Sequence, residues 1–214
     1  MSDSYDIEVK LIAITDLCQP LGSPADAQKG KPSEELIEYA GRLCWDATDK
    51  QSTNPNRIQD WIKVGHESMI EHASATFFIR GSRALTHELV RHRVASYSQR
   101  SQRYVKETEP KYVKPPEFGK GIDGKAADDI YEKAMLDAWD AYAKLLKLGV
   151  KAEIARYVLP NACETQIIVT MNFRELRHFI KLRAGKRALP EIRAVAGEIR
   201  RIMQEQAPRV FSDL

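Results

Sequence analysis

The hydrophobic positions of this chain follow two different periods, and these periods predict its secondary structure. Apolar residues alternate with polar ones over residues 7–14, and short apolar runs at 73–80 and 164–171 are also typical of strands. Spacings of three and four residues predict helices at 33–44, 54–65, 82–93, 126–148 and 151–158, from Asn172 onwards and from Pro190 onwards. The pattern indicates an α+β (mixed α/β) fold, with a small and mostly antiparallel sheet flanked by several helices, including one long helix.

Polar residues and glycines at the ends of these segments sharpen the predicted boundaries. Ser33, Ser82 and Asn172 stand at helix starts, where a side-chain oxygen can accept a hydrogen bond from a first-turn N–H group. Glu175 follows Asn172 by three residues and completes a capping-box pattern. Gly81 is expected to end the strand that precedes Ser82.

Two predicted helices carry apolar stripes that should face the protein interior. The stripe of the longest helix comprises Ala127, Ile130, Ala134, Ala138, Ala141, Leu145 and Leu148. The stripe of the last helix comprises Ile192, Val195, Ile199 and Ile202. Segments 18–31 and 107–124 are rich in turn-forming residues, so both are predicted to be loops.

The length of 214 residues allows one large domain or two small ones, and we predict a single domain that spans residues 1–214. Hydrophobic residues make up 43% of the chain and charged residues 29%, proportions typical of a globular protein with a sizeable core. No apolar run approaches the roughly 18 residues of a membrane helix. The first six residues lack the basic and apolar regions of a signal peptide. We therefore expect a cytoplasmic protein that does not associate with membranes.

Charge and cysteine content exclude several classes of function. The 33 basic and 30 acidic residues give a net charge of +3, which is too small for binding a polyanion through bulk charge. The three cysteines are scattered, so they indicate neither a zinc site nor a disulfide framework. A nucleophilic thiolate requires an electropositive and partly exposed setting. Of the three, only Cys163 lies near basic residues, and it is the single candidate nucleophile.

The densest chemistry of the chain lies between residues 91 and 104. Arg91, His92 and Arg93 stand where the third predicted helix ends, and a run of hydroxyl and amide side chains leads from there to Arg103 and Tyr104. Guanidinium groups bind phosphate oxygens two at a time, and short polar side chains can complete the binding shell. This combination predicts an anion pocket. The alternative is a solvated basic helix end, stabilised by the helix dipole.

Arginines in the second half of the chain are further candidates. Arg183 continues the apolar stripe of its helix, and because an arginine stays charged, burial there requires an anionic or carbonyl partner. A salt bridge within the protein and a bound ligand both satisfy that requirement. Arg156 precedes the helix stop at Pro160, where it can bind terminal carbonyl groups instead of a ligand.

Two histidines, His66 and His72, flank a short polar segment. Because neither a cysteine nor a third histidine stands where it would complete a ligand set, we predict no metal site. On its own, His66 is typical of a loop histidine that donates to a carbonyl group.

Taken together, these residues resemble a known family. Arg-His-Arg, seven residues and then Ser101 is similar to the signature of the flavin-dependent thymidylate synthases. Matches at 66–72, 154–160 and Arg183 extend the resemblance from about residue 36 to about residue 183. That family makes dTMP from dUMP with FAD, a reduced nicotinamide such as NADPH and 5,10-methylenetetrahydrofolate. The resemblance implies an FAD-dependent methyltransferase that uses no cysteine nucleophile.

The resemblance also implies which residues bind each ligand. For dUMP they are Glu88, Leu89, Val90, Arg91, Gln99, Arg100, Ser101, Gln102, Arg103, Arg156 and Arg183. For FAD they are His66, Ser68, Arg91, His92, Arg93, Gln99, Asn172, Phe173, Arg174 and His178. Arg183 is expected to be catalytic by contacting the uracil ring and assisting its ionisation. Family members form homotetramers with FAD at the subunit interfaces, and the same assembly is expected here.

Two positions depart from the family pattern. Glu88 stands where some relatives have glutamine, and Gln99 where others have glutamate. A carboxylate near a phosphate is unfavourable unless it accepts from ribose hydroxyls or pairs with an arginine, so the role of Glu88 stays open. The chain has no Gly-x-Gly-x-x-Gly string, and FAD is therefore expected to bind without a Rossmann motif.

A second class of function is a single-stranded nucleic-acid-binding module. The basic and aromatic residues of segment 91–106 could follow a phosphate backbone and stack on bases. The small net charge and the arginines scattered further along the chain favour the enzyme instead.

Overall fold

The computed structural model describes residues 5–18, 21, 30–48, 54–121 and 123–214. Within these ranges four antiparallel strands form one sheet in the order β1-β2-β4-β3. The strands are β1 (Glu8–Ile14), β2 (Ser74–Ser82), β3 (Ala95–Gln99) and β4 (Glu164–Asn172). No helix in the described part of the chain is long and apolar enough to cross a membrane.

Helices make up most of the remaining regular structure. The α-helices are α1 (Pro32–Leu43), α2 (Arg57–Lys63), α3 (Arg83–Leu89), α4 (Gly124–Lys147), α5 (Ala152–Ala155), α6 (Phe173–Arg183), α7 (Pro190–Gln206) and α8 (Pro208–Phe211). Short 3₁₀ turns occur at Ser68–His72 and Arg156–Val158. The predicted α+β class, with a small sheet and one long helix, is confirmed.

The chain divides into two compact units. Unit 1 comprises Met1–Glu8, Ile79–Arg91 and Tyr97–Ile168. Unit 2 comprises Val9–Phe78, His92–Ser96 and Val169–Leu214. The Arg-His-Arg signature is thus divided, with Arg91 in unit 1 and the next two residues in unit 2.

In unit 1 the long helix α4 buries a different face from the predicted one. Met135, Trp139 and Tyr142 are buried, whereas Ile130 is 71% exposed and Leu148 is 82% exposed. The buried residues also recur at helical spacing, and their large side chains remove more apolar surface from water than an alanine-rich stripe can. The predicted stripe at 127–148 was therefore wrong about which side faces the interior.

In unit 2 the apolar stripes of α6 and α7 are confirmed. Ile192, Val195 and Ile199 of α7 are buried, as are Leu176, Phe179 and Ile180 on the stripe of α6. Arg177 of α6 is also buried, and it donates to both carboxylate oxygens of Asp213 at 2.6 Å and to the Val210 carbonyl. That hydrogen-bonded pair lowers the pKa of Asp213. The sequence pattern did not predict helix α8. The hydrogen bonds from Arg177 to Val210 and Asp213 hold the end of this helix in place.

The predicted helix caps have mixed outcomes. The Ser82 side chain accepts from the Leu85 N–H at 3.0 Å and begins α3, as predicted. The Asn172 side chain accepts from the Glu175 N–H at 2.8 Å and begins α6, as predicted. Ser33 is not the cap of α1, because Lys31 holds that position and Pro32 begins the helix. Proline suits the first helical position, since its φ is already helical and it needs no N–H partner there.

The chain between Gly81 and Gln99 differs from the prediction in three ways. Gly81 does not break β2, which continues to Ser82. Helix α3 ends at Leu89, so Arg91, His92 and Arg93 lie beyond its end rather than in its last turn. The residues after them form β3 instead of a loop. Their side chains alternate between half-buried and exposed, the two-residue period that would have predicted a strand.

Candidate functional site

A buried histidine organises the candidate site in unit 2. His92 is only 4% exposed, so the prediction that it points inward is confirmed. Its Nδ1 lies 2.9 Å from Oε1 of Glu175, and its Nε2 accepts from Nε of Arg183 at 3.2 Å. The ring contacts Phe179 edge-on, with 5.0 Å between ring centroids. These contacts join the beginning and the end of α6 through one imidazole.

The electrostatic setting of His92 keeps its ring neutral. Burial lowers the pKa of His92, the Glu175 carboxylate opposes that shift, and the nearby Arg183 and His178 add to it. The net direction is downward. A neutral ring has one N–H donor and one acceptor nitrogen, which is what a carboxylate on one side and a guanidinium on the other require.

Arg183 is half-buried, at the end of the apolar stripe of α6. The sequence required an anionic or carbonyl partner for it. Its Nε–H donates to an imidazole nitrogen, an uncharged acceptor that does not itself neutralise the guanidinium.

A cleft of about 400 Å³ lies beside the start of α6. Its lining residues are mostly charged or polar: Glu67, Glu71, Val94, Asn172, Arg174, Glu175, Arg177, His178 and Lys181. Arg174 is half-exposed and pairs with Glu71 at 2.6 Å and Glu67 at 3.4 Å. Cationic side chains at a helix start form a setting that favours anions.

The remaining FAD candidates of unit 2 occupy different environments. His66, Ser68, Arg93 and His178 are exposed. Phe173 is fully buried, and its N–H donates to the Ala73 carbonyl at 2.8 Å. The side chain and the N–H group of Phe173 are therefore committed within the protein.

In unit 1 the residues after β3 form a tightly bonded segment. The Gln99 amide donates to the hydroxyls of Thr86 at 3.0 Å and Thr165 at 3.3 Å. Arg100 pairs with the buried Glu107 at 2.5 Å. These contacts hold the segment in place from inside the protein. Part of the polar run therefore has a structural role.

The dUMP candidates at the end of α3 and in the polar run differ in exposure. Leu89 is fully buried, and its carbonyl accepts from the Tyr97 hydroxyl at 2.8 Å. Val90 and Arg91 are exposed, and Glu88 is half-buried. Gln102 is buried and donates to Sγ of Cys163 at 3.2 Å, so its side chain faces the interior.

Arg103 and Arg156 meet residues of the α5 region. The Arg103 side chain is 54% exposed and lies 3.6 Å from the Glu153 carboxylate. The Ser101 hydroxyl accepts from the Arg103 N–H at 3.2 Å, which forms a local turn. Nε of Arg156 donates to the Glu153 carbonyl at 3.2 Å, the helix-end contact that the sequence left open as an alternative.

One group of potential metal ligands occurs among the described residues: His92, Glu175 and His178. Both ring nitrogens of His92 are engaged, however, with Glu175 and with the Arg183 guanidinium. A cation at His92 would have to displace that guanidinium or accept it as a near neighbour. The group is better suited to hydrogen bonding than to metal binding.

Cys163 is not in a setting that activates a thiol. Its side chain is buried, and burial together with the nearby Glu107 raises its pKa to about 12. Arg83 and Arg100 act against that shift but do not overcome it. Cys18 and Cys44 are exposed.

Glu175 and Lys181 were not predicted from the sequence as site residues. Glu175 was identified only as part of a helix cap, yet its carboxylate contacts His92. The eight-residue separation between Glu175 and Arg183 on one helix, with Phe179 midway, is a signal that the two could share a partner.

The fold and the site define an α+β protein with a polar cleft beside a buried, hydrogen-bonded histidine. Residues 27–209 match the family described as thymidylate synthase complementing protein (Thy1). The chain belongs to that family.

Named relatives support this assignment over the full length of the chain. A protein of Mycolicibacterium vanbaalenii named flavin-dependent thymidylate synthase is 42% identical to this chain, and the alignment covers 100% of this chain and 92% of that protein. Proteins with the same name from Mycobacterium sp. strain JLS and Mycobacterium tuberculosis are 41% and 40% identical, with the same coverage.

The environment of Cys163 predicts low reactivity. A thiol whose pKa is about 12 is ionised in roughly one molecule in ten thousand at pH 8, and only the thiolate is nucleophilic. Iodoacetamide should therefore modify the exposed Cys18 and Cys44 of the native protein and leave Cys163 intact, as measured by peptide mass spectrometry. Denatured protein, in which all three should react, is the control. Rapid modification of Cys163 in the native protein would contradict the prediction.

Proposed function

We propose that this protein is a flavin-dependent thymidylate synthase. It methylates dUMP to dTMP, with FAD as cofactor, NADPH as reductant and 5,10-methylenetetrahydrofolate as the carbon donor. The observation that carries the proposal is the similarity over the whole chain, at 40–42% identity, to relatives that bear this name. The buried Cys163, with its raised pKa, fits chemistry that uses no cysteine nucleophile.

The unit 2 cleft has donors that fit FAD. Arg174 offers N–H donors at the start of α6, where the helix dipole also favours the negative charge of a pyrophosphate, and His178 and Lys181 add donors further along the helix. When bound, FAD supplies the redox chemistry, and the protein supplies orientation and charge. The residues proposed to hold it are His66, Ser68, Arg91, His92, Arg93, Gln99, Asn172, Phe173, Arg174 and His178.

For dUMP we propose residues from the end of α3 and from the signature region, together with two arginines further along the chain. Arg103 and Ser101 would bind the phosphate, since Arg103 is half-exposed and carries a planar fork of donors. Arg183 would contact the uracil ring and stabilise negative charge as it develops there. The other proposed dUMP contacts are Glu88, Leu89, Val90, Arg91, Gln99, Arg100, Gln102 and Arg156.

The proposal extends to assembly and location. We infer a homotetramer with ligand sites at subunit interfaces, acting in the cytoplasm without nucleic-acid or membrane partners. The exposed apolar residues Ile130 and Leu148 of α4 fit a surface that another subunit covers. The uninterrupted family match over residues 27–209 supports one functional domain.

The nucleic-acid alternative is less well supported by the geometry of segment 91–106. A backbone-tracking strip needs its arginines and aromatic rings to be available at the surface. Arg100 pairs with the buried Glu107, and the Tyr97 hydroxyl donates to the Leu89 carbonyl.

The direct test is to purify the protein and assay it. It should be yellow, release flavin on denaturation, and convert dUMP to dTMP when NADPH and 5,10-methylenetetrahydrofolate are present. A protein that neither retains nor takes up FAD would refute the proposal. Affinity for single-stranded nucleic acid that falls steeply with salt, without dTMP formation, would favour the alternative.

Changing Arg103 to alanine tests the phosphate assignment. Loss of a charged hydrogen bond should cost about 1.5–3 kcal/mol, which corresponds to roughly tenfold or more in affinity. Calorimetry with dUMP and with deoxyuridine should show that Arg103→Ala weakens dUMP much more than the nucleoside. Lys106→Ala, an exposed change three residues away, is the matched control and should alter neither affinity. Equal losses for both ligands would remove Arg103 from the phosphate.

Changing Arg183 to lysine tests the catalytic assignment. Lysine keeps the charge but loses the planar fork and the Nε–H that meets His92. Because a lost transition-state donor typically costs a factor of about 10² or more, the single-turnover rate of methyl transfer should fall by roughly that amount. Reduction of bound FAD by NADPH should change far less.

Arg187 is exposed and lies just beyond the end of α6. The substitution Arg187→Lys is therefore the control and should behave as wild type. A loss of thermal stability in Arg183→Lys without a change in rate per folded molecule would make Arg183 a structural residue.

A further inference from the structure

Helix α6 presents three side chains at intervals of four residues: Glu175, Phe179 and Arg183. Residues four apart lie on the same side of a helix, and the His92 ring packs on the middle one. Its Nδ1 thereby lies 2.9 Å from Oε1 of Glu175, and its Nε2 lies 3.2 Å from Nε of Arg183. The imidazole bridges two turns of α6 from a separate segment of unit 2.

The protons in this arrangement follow from the chemistry of the groups. A guanidinium has five N–H donors and no acceptor, so Nε of Arg183 must donate and Nε2 of His92 must carry a lone pair. The single proton of a neutral ring is then on Nδ1, where it faces the Glu175 carboxylate. The carboxylate thus selects the one tautomer that can accept from Arg183.

We propose that Glu175 is a positioning residue for Arg183, acting through the imidazole of His92. The proposal rests on the function proposed above, in which Arg183 contacts the uracil ring. A hydrogen bond at Nε fixes the plane of the guanidinium, and with it the direction of the terminal nitrogens. Small errors in the orientation of such a group are costly to catalysis.

The charged surroundings of His92 agree with this role. Glu175 favours a protonated ring, whereas burial, Arg183 and His178 favour the neutral ring, and the pKa is lowered overall. If His92 gained a second proton, its Nε2–H would face the Arg183 Nε–H, donor against donor. The bond to Arg183 therefore exists only while His92 is neutral.

The first experiment tests the bridge itself and does not depend on activity. The chain has five histidines, so protein with ¹⁵N-labelled histidine gives a simple spectrum, and His92 is assigned by its loss in His92→Phe. At neutral pH the expected result is a protonated Nδ1 and an unprotonated Nε2. A protonated Nε2, or a doubly protonated ring at neutral pH, would overturn the proposal.

The second experiment measures coupling between Glu175 and Arg183. Glu175→Ala should slow single-turnover methyl transfer by roughly tenfold to a hundredfold, the scale known for partners that orient ligating groups. Glu175→Gln should be milder, because its amide oxygen still accepts from Nδ1. In an Arg183→Lys background neither change should slow the reaction further, since coupled residues are not additive. Multiplicative losses would show that Glu175 does not act through Arg183.

The pH profile separates positioning from a structural role. Activity should fall on the acid side as His92 gains its second proton. Glu175→Gln removes the carboxylate that favours the protonated ring, so the pKa of His92 should drop and the acid limb should move to lower pH. An acid limb that stays in place, or moves to higher pH, would overturn the proposal.

Glu198→Gln is the matched control, because Glu198 pairs with Arg201 on the surface of α7. It should leave the rate and the pH profile unchanged. Wild-type protein that shows the predicted tautomer but forms no dTMP would refute the proposed function and the positioning role with it. Wild-type turnover without coupling would refute the positioning role alone.

Discussion

A buried imidazole that is hydrogen-bonded on two sides can satisfy both neighbours in only one protonation state. His92 meets a carboxylate at Nδ1 and a guanidinium at Nε2, so its single proton is assigned by its partners. The arrangement fixes the end of α6 relative to its start and to segment 92–96. It also places the permanent positive charge of Arg183 next to the imidazole ring.

The same helix shows how the protein balances charge around the cleft. At the start of α6, Arg174 is offset by Glu67 and Glu71, while Lys181 and His178 lie further along. The pair formed by Arg174 is half-exposed, and such pairs contribute little to stability because water screens them. An anionic ligand could therefore compete for Arg174 at small cost. The pair of Arg177 and Asp213 is different, because Arg177 is buried and breaking the pair would leave its charge inside the protein.

Sequence periodicity predicted the parts of the fold where one face is strongly apolar. The stripe of α7 is such a case, because Ile192, Val195 and Ile199 are β-branched or large and have polar neighbours. Periodicity predicted the wrong buried face for α4. That helix has two stripes at helical spacing, and the alanine-rich stripe is the more continuous one in sequence. The aromatic residues Trp139 and Tyr142 decide the outcome, since they bury more surface. Local pattern cannot rank two faces when the packing partner is unknown.

Candidate site residues were predictable as types but not as pairs. The density of arginines and short polar side chains identified segment 91–103, yet the sequence could not show that Arg100 meets Glu107 or that Gln102 faces Cys163. Gln102 and Cys163 are distant along the chain. Arg100 and Glu107 are closer, but a sequence pattern does not show how the turn between them brings their side chains together.

The same limit applies to Arg183. Its place on an apolar stripe required a partner, and electrostatics alone suggested an anion. Only the fold brings a histidine to that position, and the hydrogen bond from Nε to its ring holds the guanidinium of Arg183 in place.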